Sequence, residues 1–368
     1  MRRPLSWSAA VLAVVCVTLA GGGAIEAAGA VTGPAVTAAR AGVITTVAGG
    51  VGGPAAGPKV AVNQPCGVAS ARSGVYVTES AGDVVRLLDP ASGLLTTAAG
   101  NGPTGRHALN DPCGMAVDAH GNLIVADTGG NELRVIAARS GVFYGKKMRA
   151  GHTYALGGSS FSGPEAVSVD PHGDLLVTSQ KDGYAGTDAL ASAVVSVPAD
   201  ARGRFYGQRM VPGHVYPLAG QDCPDVDHQG CTPGLSGDGG PALAATFGTD
   251  LWGVTTDASG NVVIADTDDG RIRVVAERSG TFYGQAMTAG DIYSVAGGGA
   301  GGLGDGGPAT RATLSSPQGV ALDSAGNMVL SDSGDGQVRV VAAATGTFYG
   351  QQMTAGGIRQ EPARAGLP

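Results

Sequence analysis

The chain has 368 residues, of which 64 are glycine, 14% are charged and 43% are hydrophobic, and its formal net charge at pH 7 is −7. It is too apolar for a disordered chain and long enough to bury a substantial core. Glycine costs about 1 kcal/mol per helical position relative to alanine, so long helices are excluded; the absence of a Gly-X-Y period excludes collagen, and acidity without a basic patch argues against nucleic-acid or anionic-membrane partners.

Residues 1–30 read as a secretory signal. Arg2-Arg3 precedes an apolar run from Val11 to Ala20, and small residues lead to Ala28-Gly29-Ala30. The run is too short for a membrane span, and Cys16 follows Val15, which does not suit a lipid anchor. The protein is therefore expected outside the cell or at its surface. Residues 31–42 form a linker, 43–357 the folded domain and 358–368 a tail.

A repeat dominates the rest. One unit reads Gly114-Met-Ala-Val-Asp118, Gly121-Asn122, Leu123-Ile-Val-Ala-Asp127-Thr128 and Leu133-Arg-Val-Ile136. It returns from Gly253 to Val275 and from Gly319 to Val341, with diverged copies starting at Gly67 and Ala166. Each apolar run has four to six residues, is rich in β-branched side chains and is bounded by turn residues, so it reads as a strand. The Asp-x-x-Gly-Asn link suits a hairpin with a bulge. A fourth strand reads Thr153-Tyr-Ala-Leu, Val215-Tyr-Pro-Leu or Ile292-Tyr-Ser-Val. Four antiparallel strands per unit make a propeller blade, and the centre is apolar on both faces, as a sheet packed between two others requires.

Two further segments repeat. Phe-Tyr-Gly, followed by Met and Gly, starts at Phe143, Phe205, Phe282 and Phe348, and reads as a hairpin extension whose aromatics pack on the blade edge; a binding rim is the alternative. Gly-Asp-Gly-Gly-Pro-Ala occurs around Asp238 and Asp305, in loops on one face of the disc. Residues 43–50, Val-Ile-Thr-Thr-Val-Ala-Gly-Gly, match the fourth-strand pattern with no blade before them, while the last unit's own fourth strand looks degraded. We expect the N-terminal strand to complete the last blade and close the ring. Five units are recognisable, which sets the blade count at five, with six as the alternative.

These repeats, as carried by residues 114–136, 253–275 and 319–341, resemble NHL repeats, and the Gly-Asp-Gly-Gly-Pro-Ala and Phe-Tyr-Gly segments are similar to the long NHL-type repeats of exported actinobacterial proteins. The resemblance covers about residues 43–357. It implies a propeller used for protein, carbohydrate or nucleic-acid binding, with a few relatives acting as lyases or metal-dependent hydrolases.

Four cysteines follow the leader. Cys66 and Cys113 sit in Pro-Cys-Gly triplets at matching repeat positions and could staple neighbouring units; Cys223 and Cys231 bracket a short loop and suit a local bridge. For catalysis the signal is poor. The six histidines are mostly repeat positions in turns aimed in different directions, so a shared metal is not expected. Asp118, Asp170, Asp257 and Asp323, like Asp127, Asp266 and Asp332, recur as structural groups do, although a ring of Asp at one mouth could hold Ca²⁺. Residues that break the pattern are better candidates. Glu165, Trp252 and Gln318 stand where the first two units carry Cys66 and Cys113, near the channel mouth, and could line a ligand pocket or plug the channel. The expected protein is a monomeric, non-catalytic binding module without a cofactor, taking a protein or carbohydrate ligand at its loop face. The competing reading is an enzyme, a lyase or a metal-dependent hydrolase of a small substrate, with a divalent cation in the channel.

Overall fold

A computed structural model describes residues 55–56, 61–100, 108–157, 160–179, 193–197, 203–206, 208–220 and 235–360. The expected leader, strand 43–50 and the Cys223/Cys231 loop lie outside them.

Among the described residues the chain forms five antiparallel blade sheets, each with an inner, second, third and outer strand in sequence order, and four separate two-stranded sheets. Blade 1 comprises Pro65–Ala71, Gly74–Glu79, Val84–Leu88 and Leu94–Ala99. Blade 2 comprises Pro112–Val117, Leu123–Asp127, Glu132–Ile136 and Thr153–Leu156, and blade 3 comprises Pro164–Val169, Leu175–Ser179, Ala193–Val197 and Tyr216–Ala219. Blade 4 comprises Leu251–Thr256, Val262–Asp266, Arg271–Val275 and Asp291–Gly297, and blade 5 comprises Pro317–Leu322, Met328–Asp332, Gln337–Val341 and Ile358–Gln360. The inner strands lie side by side in that order, which is a β-propeller.

The last blade thus has its own outer strand. Ile358–Gln360 pairs with Gln337–Val341, with Ile358 opposite Val341, so the position we expected residues 43–50 to fill is already taken. Only three residues carry the pairing, which is why the pattern looked degraded. The segment 358–360 belongs to the domain rather than to a tail. Short stretches also pair outside three outer strands: Ala55–Ala56 on blade 1, Gly240–Pro241 on blade 4, and Pro308 opposite Gly357 on blade 5.

Packing explains the repeat's composition. The second strands of blades 2, 3 and 4 are buried along their whole length, because both faces meet a neighbour. Apolar clusters join each blade to the next: Val85 with Met115, Ile124 with Val167, Leu176 with Val254, and Val263 with Met328. A fully buried Ile or Leu such as Ile124 or Leu175 contributes about 1.5–3 kcal/mol of transfer free energy. Every inner strand shifts register near its start, so the bulge lies there rather than at the Asp-x-x-Gly-Asn turn. Gly67, Gly114 and Gly253 sit at this bulge, where a Cβ would collide with the carbonyl oxygen of Cys113, Glu165 or Gln318 on the next inner strand.

The Phe-Tyr-Gly segments form two-stranded hairpins, such as Gly141–Phe143 with Lys146–Met148 and Gly280–Phe282 with Gln285–Met287. Tyr144, Tyr206, Tyr283 and Tyr349 all have φ near +50°, and Gly145, Gly284 and Gly350 follow with φ of 70–77°, the geometry of a type I′ turn. These turns interlock. Tyr144-Gly145 abuts Pro212-Gly213 of blade 3, and Tyr283-Gly284 abuts Ala355-Gly356 of blade 5.

Candidate functional site

Cys66 and Cys113 form a disulfide, with Cα atoms 4.9 Å apart, that staples the inner strands of blades 1 and 2. Glu165, Trp252 and Gln318 occupy the same position on the inner strands of blades 3, 4 and 5, each half-buried. They therefore continue one row around the inner strands. The Gln318 side-chain oxygen accepts a hydrogen bond from Ser333 Oγ at 3.1 Å. The cleft that holds His120 and the groove beside Lys147 are not lined by these three residues.

The recurring carboxylates are engaged by the chain itself. Asp118 Oδ1 accepts the backbone N–H of His120 and of Asn122, both at 2.8 Å, and its Oδ2 accepts Asn122 Nδ2 and the Tyr144 hydroxyl. Asp257 and Asp323 repeat this pattern with Tyr283 and Tyr349. In blade 3, Asp170 takes the Tyr206 hydroxyl at 3.2 Å, and burial pushes its carboxyl above the ordinary carboxylate range. Burial, reinforced by the adjacent aspartate, also pushes the Tyr206 and Tyr283 hydroxyls upward, so both act as hydrogen-bond donors rather than phenolates. The hairpin tyrosine thus locks the turn between the first two strands of its own blade.

A second network stands at the other end of the blades. Asp127, Asp266 and Asp332 each accept a backbone N–H from the segment preceding the inner strand, from Asn110, Gly248 and Ser315 respectively, rather than merely capping the turn that follows. Each also faces an arginine of the third strand: Arg134 at 3.2 Å, Arg273 at 3.7 Å and Arg339 at 3.2 Å. Arg273 and Arg339 are completely buried, and each also grips the aspartate of a Gly-Asp-Gly-Gly loop, Asp238 or Asp305, at 2.9 Å. Burial pushes Asp266 up to about 7, the neighbouring Asp269 adds to this, and Arg273 opposes it. The threonines that follow Asp127 and Asp266 bridge blades: Thr128 and Thr267 donate to the carbonyls of Pro164 and Pro317. Our reading of the sequence missed the arginines. Their signal was the Ile/Leu/Val-Arg-Val run of the second, fourth and fifth units, where a charge recurs at the centre of an apolar strand.

The histidines are less scattered than their spacing suggested. His120 and His172 line one cleft of about 280 Å³ between blades 2 and 3, together with Phe143, Tyr144, Asp118 and Asp170. The His120 ring lies 5.1 Å from that of Phe143 and meets Arg139 through Nδ1. Among the described residues, no group of three or more His, Cys, Asp or Glu is placed to hold a metal ion, and no helix is long and apolar enough to cross a membrane.

Comparison with known proteins adds similarity of form. No family model matches the chain. A 93-residue stretch is 33% identical to the Arabidopsis thaliana protein SUPPRESSOR OF QUENCHING 1, chloroplastic, covering 23% of this chain and 9% of that protein. The chain thus spans under a tenth of that relative's length. Among solved structures, one from a nidogen/laminin complex aligns with a TM-score of 0.48 and 15% identity over 82% of this chain and 84% of that one. A gluconolactonase from Xanthomonas campestris gives 0.45 and 16% over 80% and 77%. Virginiamycin B lyase from Staphylococcus aureus gives 0.44 and 11% over 82% and 71%.

Proposed function

We propose that the chain is an exported NHL-type propeller that works as a monomeric, non-catalytic binding module, holding a protein or carbohydrate ligand at its loop face and channel mouth. The reading rests on how the repeated polar groups are used: the aspartates, tyrosines and arginines that recur in the blades are consumed in the two networks that hold each blade together. The inner-strand row carries the unrepeated residues Glu165, Trp252 and Gln318, which would meet a ligand at the channel mouth, Trp252 by stacking and the other two by hydrogen bonding. With Trp7 inside the proposed leader, Trp252 is the one tryptophan of the mature chain. Its fluorescence therefore reports on that row. A panel of glycans and extracellular protein fragments should contain a ligand that shifts the emission, and Glu165→Ala should weaken that ligand. A silent panel, or binding unchanged in Trp252→Phe, rejects the reading.

One observation favours the enzyme reading instead. The cleft between blades 2 and 3 holds two imidazoles, the side-chain type used most often for general acid–base catalysis. Turnover of a lactone or ester that is lost in His172→Gln would support it.

A further inference from the structure

In the two junctions where both turns are described, the Tyr-Gly turn of one hairpin sits against the X-Gly turn of the next blade's hairpin. The peptide oxygen of Tyr144 lies beside Gly213, and that of Tyr283 beside Gly356. Blade 2 has the same receiving turn, Ala150-Gly151, but blade 1 has no hairpin to offer it; Val84–Leu88 connects to Leu94–Ala99 through Asp89-Pro-Ala-Ser-Gly93 alone. Among the described residues nothing stands within 4 Å of the point a Gly151 Cβ would occupy. The same is true of Gly290, although blade 3 has a hairpin, so it is the hairpin that blade 1 lacks that marks the blade 2 turn as open. What remains is an open groove of about 660 Å³, rimmed by Lys147, Arg149 and His152, with the side of Val142 60% exposed.

The other blades serve as an internal comparison. Where blade 2 carries Lys147, Arg149 and His152, blade 3 carries Arg209, Val211 and His214, blade 4 carries Ala286, Thr288 and Asp291, and blade 5 carries Gln352, Thr354 and Gly357. All three positions are basic in blade 2 alone, in a chain whose net charge is −7. Lys147 and Arg149 enter no ion pair among the described residues. The three lie within six residues of the sequence, so the basic cluster is local; our reading of the sequence passed over it, and only the packing shows that it rims a groove.

We propose that this empty receiving turn, with its three basic side chains, is a docking site for an acidic polypeptide turn of a partner protein. The shape selects a protein turn, because the equivalent sites accept the backbone of one. The charge selects an acidic one and speeds its approach, with a strong dependence on salt. The inference rests on the reading of the chain as a binding module.

The test uses the full chain with poly-L-glutamate as the polypeptide probe and polygalacturonate as the carbohydrate control, followed by titration calorimetry. Poly-L-glutamate should bind saturably, and the triple variant Lys147→Ala/Arg149→Thr/His152→Asp, which installs blade 4's own residues on an exposed surface, should bind it at least about tenfold more weakly with an unchanged melting temperature. A second variant keeps all three basic residues but replaces Asp89–Gly93 with the Ser279–Gly290 hairpin, filling the groove; it too should lose binding. Polygalacturonate binding as tightly as poly-L-glutamate, or a filled-groove variant that binds like the parent, overturns the proposal. So does a lack of binding to either probe. The binding-module reading itself is judged separately, by the Trp252 fluorescence panel and the Trp252→Phe variant.

Discussion

Blades 4 and 5 carry nearly the same sequence in different surroundings. In blade 4 the hairpin tyrosine, Tyr283, is 4% exposed, because blade 5 lies over it and the Gly356 turn closes on its backbone. In blade 5 the equivalent Tyr349 is 40% exposed, and nothing among the described residues lies within 4 Å of the point a Gly350 Cβ would occupy. The outward face of blade 5, with Val340, Ala342 and Met353, forms an apolar cluster with residues of its own blade only. The aspartates respond according to their position in the blade. At the end of the second strand, Asp266 in blade 4 and Asp332 in blade 5 are both pushed up by burial; at the end of the first strand, Asp170 of interior blade 3 is pushed up as well. For Asp323 burial pushes the same way but is outweighed by hydrogen bonds from Asn327, Tyr349 and the Ala325 backbone, so its carboxyl lies below the ordinary range. The first-strand aspartate therefore shifts in opposite directions in interior blade 3 and terminal blade 5, whereas the second-strand aspartate is raised in both blade 4 and blade 5.

The largest effect should come where the two blades agree. Arg273→Ala and Arg339→Ala each remove a fully buried cation and leave Asp266 or Asp332 buried without its counter-charge, at a cost of about 3–5 kcal/mol. Urea unfolding should show the two within about 1 kcal/mol of each other; a much smaller loss for Arg339→Ala would mean that the terminal blade opens independently. The next test separates them. Gly356→Ala combines a positive φ of 71° with a collision against the Tyr283 carbonyl, for about 3 kcal/mol in total. Gly350→Ala carries only the strain of its φ of 77°, about 1–2 kcal/mol. Equal losses would show that the interlocked turns contribute nothing. Tyr283→Phe removes a buried hydrogen bond and should cost about 1–3 kcal/mol, whereas Tyr349→Phe should stay within about 0.5 kcal/mol of the parent.

Acidity gives the most graded test. Asp266 has a folded pKa raised to about 7, so the folded state binds the extra proton and stability falls as pH rises from about 4 to 7, by at most about 1.4 kcal/mol per pH unit for one proton. Asp323 is lowered, so its contribution is present above the ordinary carboxylate pKa and is lost as the pH falls below it. Melting temperatures from pH 3 to 8 should reveal both limbs. Asp266→Asn should flatten the neutral limb and Asp323→Asn the acid one. If both limbs survive both substitutions, the assignment to these two blades is wrong.

The sequence by itself determined the units. Runs of β-branched residues, Gly-Asn turns and the five-fold return of one pattern require short strands in repeated four-stranded sheets, and the matching Pro-Cys-Gly triplets placed Cys66 beside Cys113. Those properties are local or periodic, so they can be read along one dimension. What the third dimension decided was which groups meet across blades. The Arg273 and Arg339 clamps join a strand to loops 35 and 34 residues away. His120 and His172 share a cleft only because the corresponding turns of adjacent blades stand side by side. The short outer strand Ile358–Gln360 is recognisable by its pairing and not by its composition. The groove at Gly151 could not be read from blade 2 at all: it exists because of a hairpin that blade 1 lacks, and a missing neighbour becomes visible only when the blades are packed together.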